Sequence, residues 1–163
     1  MIKERIAGNG YSLELPAGWR VEEYAPESVM PEVPITHDLI VGTQIGEQFA
    51  QLDIMMREPT TKEIDTDFIE TTITEVEEMY SEKVDGEFSY KVEAFDEELW
   101  DVDGQDGFAF SYQVRFGTKE LFFKSGAFLG KDMMYFWVMG SDPEISKEAV
   151  TGFNSILQSW RWE

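Results

Sequence analysis

Phe108, Phe110, Tyr112, Val114 and Phe116 recur at every second position, the longest unbroken period of two in the chain. A strand of that length carries a continuous apolar row, so it needs a partner on each side and a layer to cover the row. The segments around it supply partners. Phe88, Tyr90, Val92 and Ala94 alternate upstream, and Leu121–Leu129 and Met133–Met139 follow downstream. Phe116-Gly117-Thr118 and Gly130-Lys131-Asp132 have turn composition, so the spacing predicts a four-strand antiparallel meander. Met133-Met134-Tyr135-Phe136-Trp137-Val138-Met139 is apolar at every position, the pattern of a strand covered on both faces. Met133, Met134 and Met139 are read as core filling.

Two amphipathic segments provide cover. Asp65-Thr66-Asp67 has the composition of a helix start, and Ile69, Ile73, Val76 and Tyr80 then fall at helical spacing. Glu70, Glu75, Glu77, Glu78 and Glu82 take the remaining faces, and Asp85-Gly86 ends the helix. Near the C-terminus, Ser141-Asp142-Pro143-Glu144 reads as a cap, a first-turn proline and a capping-box acid. Ile145, Ala149, Phe153, Ile156 and Trp160 form the inward stripe behind it. At the N-terminus, Tyr11, Leu13 and Leu15 alternate, Pro16-Ala17-Gly18 turns, and Trp19-Arg20-Val21 resumes, which predicts a hairpin. Gly8-Asn9-Gly10 is a turn without the flanking residues of a phosphate loop. Residues 25–38, with Pro26, Pro31 and Pro34, read as a surface loop, and strands follow near Leu39–Ile45 and Ala50–Arg57. The order is ββββ-α-ββββ-α without an internal linker. The expectation is a single domain over 1–163 of α+β class, one antiparallel sheet sandwiched by two main helices.

The net charge of −20 is unevenly distributed. Residues 58–106 hold 18 acids against Lys62, Lys83 and Lys91, while residues 107–163 hold six of each sign. Such a balance excludes nucleic acid as the main partner, because phosphate binding needs clustered cations. It also argues against adhesion to an anionic membrane. The longest apolar run has seven residues, too short for a helix to span a bilayer, so membrane insertion is not expected. The start, Met1-Ile2-Lys3-Glu4-Arg5-Ile6, lacks the apolar stretch of a secretory signal. The chain as given is therefore expected in the cytoplasm, or outside it if a leader was removed. With no cysteine there is no disulfide and no thiolate chemistry.

Three segments carry a resemblance. Tyr11-Ser12-Leu13-Glu14-Leu15-Pro16-Ala17-Gly18-Trp19 resembles the strand-Pro-x-Gly-Trp opening of PsbP/Mog-like domains. Val102-Asp103-Gly104-Gln105-Asp106-Gly107-Phe108 is similar to the lead-in to that family's meander, and Phe153-Asn154-Ser155-Ile156-Leu157-Gln158-Ser159-Trp160 to its close. The resemblance, to a bacterial branch, covers nearly the whole chain. It implies a central antiparallel sheet between helical layers and a non-enzymatic role in binding or assembly through a protein partner. Branches of the family include photosystem II subunits, a Ran-GTPase binder, bacterial lipoproteins and Eag-type chaperones of type VI secretion effectors. No catalytic motif and no cofactor is implied.

Candidate residues follow from these readings. Glu70, Glu77 and Glu78 form an acidic helix face for a basic partner. Phe110, Tyr112, Phe122, Phe128 and Trp137 would line an apolar groove if part of the sheet were uncovered, as the Eag-type chaperone alternative requires. Asp101, Asp103 and Asp106 surround a glycine and form a weak calcium candidate, although strand turns commonly have this composition. His37, the only histidine, is read as a solvated loop residue. An enzyme using carboxylates alone is the least favoured alternative. The pattern leaves a homodimer open.

Overall fold

The computed structural model describes residues 5–23, 36–59, 61–83, 92–116 and 119–163. Five strands come first: β1 (Arg5–Ala7), β2 (Tyr11–Glu14), β3 (Trp19–Glu23), β4 (Thr36–Ile45) and β5 (Gln48–Arg57). Helix α1 (Thr66–Lys83) leads to the meander of β6 (Val92–Val102), β7 (Gln105–Phe116), β8 (Lys119–Leu129) and β9 (Met134–Ser141). A turn of 3-10 helix (Pro143–Ile145), helix α2 (Ser146–Ser159) and β10 (Arg161–Trp162) close the chain. Phe88, Tyr90, the Asp85-Gly86 helix end, the Gly117-Thr118 turn and the three prolines of the expected loop lie outside the described residues.

The α+β class and the meander agree with the sequence reading. The strand count and the single sheet do not. Seven strands pair antiparallel in the order β3-β4-β5-β9-β8-β7-β6, and three form a second sheet in the order β1-β2-β10. The expected N-terminal hairpin is absent: β2 pairs with β1 and β10, whereas β3 pairs with β4. The Pro16–Trp19 turn, closed by the Trp19 amide on the Pro16 carbonyl (3.1 Å), passes the chain from one sheet to the other. β1 and β10 have three and two residues, too few to show a period. The expected loop over 25–38 also ends sooner, because Thr36, His37 and Asp38 belong to β4, with His37 opposite Met55. A register shift between His37 and Leu39 interrupts the alternation there.

Register assigns each face of the large sheet its own core. On one face lie Leu39, Val41, Leu52, Ile54, Phe128, Tyr135, Trp137 and Met139, packed with Ala149, Phe153, Ile156 and Leu157 of α2. The Trp137 and Phe153 rings meet at 4.2 Å. On the other face the β7 row, Phe108, Phe110, Tyr112 and Val114, is covered by Ile64 together with Phe68, Ile69 and Ile73 of α1. Adjacent β7 rings stack at 6.1 and 5.3 Å, and Phe68 meets Phe108 edge-on at 5.9 Å. At the start of the closing helix the Asp142 carboxylate accepts the Phe49 amide at 3.1 Å rather than a helix amide. The proline still occupies the first turn, and Trp160 is buried just past the end of α2.

The two sheets are joined by aromatics. Tyr11 of β2 stacks on Trp160 at 4.0 Å, and its hydroxyl donates to Asp38 at 2.6 Å. Tyr135 of β9 donates to the Asn9 carbonyl at 2.7 Å, in the turn between β1 and β2. Trp19 meanwhile lies so close to α2 that a Cβ on Gly152 would sit 2.6 Å from its indole. Only a residue without a side chain admits that approach.

Two outcomes are expected. Gly152→Val forces Trp19 or α2 outward and should cost about 2–3 kcal/mol, read as a lower urea midpoint with an unchanged slope. The second concerns alkali. Burial, and then the Asp38 and Asp132 carboxylates, raise the Tyr135 phenol above its ordinary value of 10.0. The unfolded chain releases this proton first, so the contribution of Tyr135 is intact below pH 10 and falls as pH rises beyond it. Tyr135→Phe should flatten the loss of stability above pH 10, at a cost of about 1 kcal/mol at neutral pH.

Candidate functional site

Helix α1 begins where an Asp was expected to cap it. The Asp65 carboxylate accepts the Phe68 amide at 2.8 Å, and the Asp65 carbonyl accepts the Ile69 amide at 3.0 Å. This start sets the helix phase. Phe68, Ile69 and Ile73 turn toward the sheet. Asp67, Glu70, Thr71, Thr74, Glu75 and Glu78, spaced by three and one in turn, then line one exposed strip. Asp67 and Glu70 lie near the positive end of the helix dipole, where acids are favoured. Glu75 and Glu78 lie further along and gain little from it. The i, i+3 pairs Asp67–Glu70 and Glu75–Glu78 place like charges side by side, which costs a helix about 0.2–0.5 kcal/mol each.

Of the acids singled out from the sequence, Glu70 and Glu78 share this strip. Glu77 is on the same helix, with its backbone alone described. Asp67 and Glu75 complete the strip, and the i, i+3, i+4, i+7, i+8 pattern from Asp67 was the signal for them.

The strip adjoins an apolar cleft. Ile64, Asp65, Thr66 and Ile69 form one wall, and Glu98, Leu99 and Phe108 the other. Leu99 is paired across from Phe108 in the β6–β7 ladder, so the two share a face, yet Phe108 is 1% exposed and Leu99 79%. Beside them Glu98 pairs with Lys124 at 2.9 Å, a lysine whose side chain is only 3% exposed. The Lys124 ammonium lies 5.4 Å from the Phe153 ring centre and 5.8 Å from that of Trp100. The run of acids at 96–98 hid this part of β6 from a search for alternation, and with it Leu99.

The remaining candidates are dispersed. Phe110 and Tyr112 are buried on the α1 side of the sheet, while Phe122, Phe128 and Trp137 are buried on the α2 side. The period of two separates odd from even positions, and the register of β7, β8 and β9 carries that separation across the sheet. No groove lined by all five forms among the described residues. Asp101, Asp103 and Asp106 lie at the β6–β7 turn, where each of the first two has a structural contact. Asp101 accepts the Gly104 amide at 2.7 Å, and Asp103 accepts the Trp162 amide at 3.0 Å. Among the described residues no group of three or more acids or histidines is arranged to hold a metal ion. No described helix is long and apolar enough to cross a membrane.

Neither a family model nor a curated protein matches the sequence. Solved structures do match in shape. Cyanobacterial PsbP (CyanoP) from Synechocystis sp. PCC 6803 aligns with a TM-score of 0.68 at 15% identity, over 98% of this chain and 92% of that one. The chain has the PsbP-like fold. LpqN, involved in cell envelope biogenesis of Mycobacterium tuberculosis, aligns with a TM-score of 0.56 at 11% identity, over 98% of this chain and 89% of that one.

In this PsbP-like fold the three resembling segments all make structural contacts. The first turns the chain between sheets and packs Trp19 on α2. The second forms a tight turn with φ of +49° at Asp103 and +87° at Gly104, the geometry of a two-residue hairpin loop. The third buries Phe153, Ile156 and Trp160. Asp103→Ala should lower stability by about 1–2 kcal/mol, since it loses the bond to Trp162 and strains a positive φ. Asp103→Asn, which tolerates that φ and keeps an acceptor, should stay within about 0.5 kcal/mol by chemical denaturation.

Proposed function

We propose that this PsbP-like domain is a non-enzymatic binding or assembly protein that engages a basic partner protein through the exposed face of α1. The observation that carries this reading is the strip of Asp67, Glu70, Glu75 and Glu78. A negative potential concentrated on one face speeds and orients the approach of a cationic partner. A second copy of the chain would bring the same charge, so the strip favours a different protein over self-association there.

The alternatives find less support. A chaperone for apolar effector helices would need its aromatics on one open surface, and the five candidates are divided between two buried ones. A carboxylate enzyme would need acids converging in an enclosed pocket, whereas those of α1 stand on an open helix surface.

The test is affinity capture from the source organism with partner identification by mass spectrometry. The unmodified protein should retain a basic protein at low salt and release it by about 0.5 M salt, where charges more than a few ångströms apart are screened. The Glu70→Gln/Glu75→Gln/Glu78→Gln variant, altered only at exposed positions, should bind that protein at least tenfold more weakly. Equal binding by the variant would refute the role of the helix face.

A further inference from the structure

β6 is an end strand of the seven-stranded sheet: β7 pairs with one side, and no described strand lies on the other. Its sequence, Val92-Glu93-Ala94-Phe95-Asp96-Glu97-Glu98-Leu99-Trp100-Asp101-Val102, holds five acids and no base. A bulge between Phe95 and Glu98 interrupts its pairing with β7. Charges and bulges are the usual protection of an edge against pairing with another copy of the same chain. A second copy would meet five acids with five acids. The same charges favour a cationic strand.

The side chains beside this edge provide an apolar seat. Phe108 is hidden under Phe68, but its neighbour Leu99 is not, so α1 covers one member of a cross-strand pair and stops short of the other. Between them runs the cleft of Ile64, Ile69, Leu99 and Phe108, with the acids Asp65 and Glu98 in its walls. Building on the protein-binding reading above, we propose that an extended, cationic segment of a partner protein adds to the outer edge of β6. One apolar side chain of the segment fills the cleft against Leu99, and the lysines or arginines alternating with it face the surrounding carboxylates. Backbone pairing supplies affinity in this mode, and alternate side chains supply selectivity.

Leu99 is the position to test, because its exposure frees it from the core. Glu98 is not: it neutralises buried Lys124, and removing it would leave an unpaired charge inside the protein. The probe is a fluorescein-labelled peptide of about nine residues alternating lysine and leucine, compared by anisotropy at low salt with oligolysine of equal length. The alternating peptide should bind at least tenfold more tightly than oligolysine, and Leu99→Lys should remove that advantage while leaving thermal unfolding unchanged. Hydrogen exchange should slow at the β6 amides from Glu98 to Val102 when the peptide is bound. Equal binding of both peptides, full binding by Leu99→Lys, or unaltered exchange in β6 would overturn the proposal. The two readings fail separately. Binding that depends on Glu70, Glu75 and Glu78 but not on Leu99 removes the cleft and keeps the helix face. Dependence on Leu99 alone does the reverse.

Discussion

The aromatic row of β7 must be kept from water, and much of the molecule follows from that requirement. Phe108, Phe110 and Tyr112 are almost wholly buried, and fully burying one such ring is worth about 1.5–3 kcal/mol. The opposite face of the same sheet carries a second apolar surface, so the sheet needs cover on both sides. The chain meets the need with two unlike helices. α2 contributes a wide apolar stripe and sinks into its face. Among the described side chains α1 contributes Phe68, Ile69 and Ile73, and it turns acids outward. The acidic strip is therefore carried by the helix that protects the β7 row.

That division also explains where the surface changes character. α1 hides Phe108 and leaves Leu99 in water, so the boundary of its cover falls between two cross-strand neighbours. At this boundary Glu98 accepts from Lys124 and from the Trp100 indole at 3.1 Å. A lysine set among rings would be costly without a carboxylate, and the carboxylate that meets the need stands at the rim of the cleft. The rim and the α2 core are thus joined through one side chain.

How much was legible in the sequence varied with the length of the signal. The meander, the α1 start at Asp65 and the inward stripe of α2 were readable, because each rests on several residues at one period. β1 and β10 were not, since three and two residues carry no period. The false N-terminal hairpin arose because Tyr11, Leu13 and Trp19 do form strands, yet the pairing of β2 is decided by Trp160 and Trp162, some 150 positions away. His37 was taken for a loop residue because nearby prolines masked the start of β4. Most of the acidic strip was visible as helical spacing. The exposure of Leu99 was not, because it depends on where α1 stops, which is a tertiary fact.

The pairing of β2 bears on how the chain can be built. Tyr11 and Ser12 pair with Trp162 and Arg161, about 150 positions further along the chain. The Glu14 amide is bonded to the Ser159 hydroxyl at 2.8 Å, and Gly10 accepts the Glu163 amide at 3.0 Å. One face of the seven-stranded sheet lacks its cover until α2 docks, and β2 lacks one neighbour until the residues beyond α2 join it. Contacts of such separation are slow to close, because the loop entropy is lost before the contact repays it. Tyr11 and Leu13 therefore gain their full cover only when segments about 150 positions apart have met.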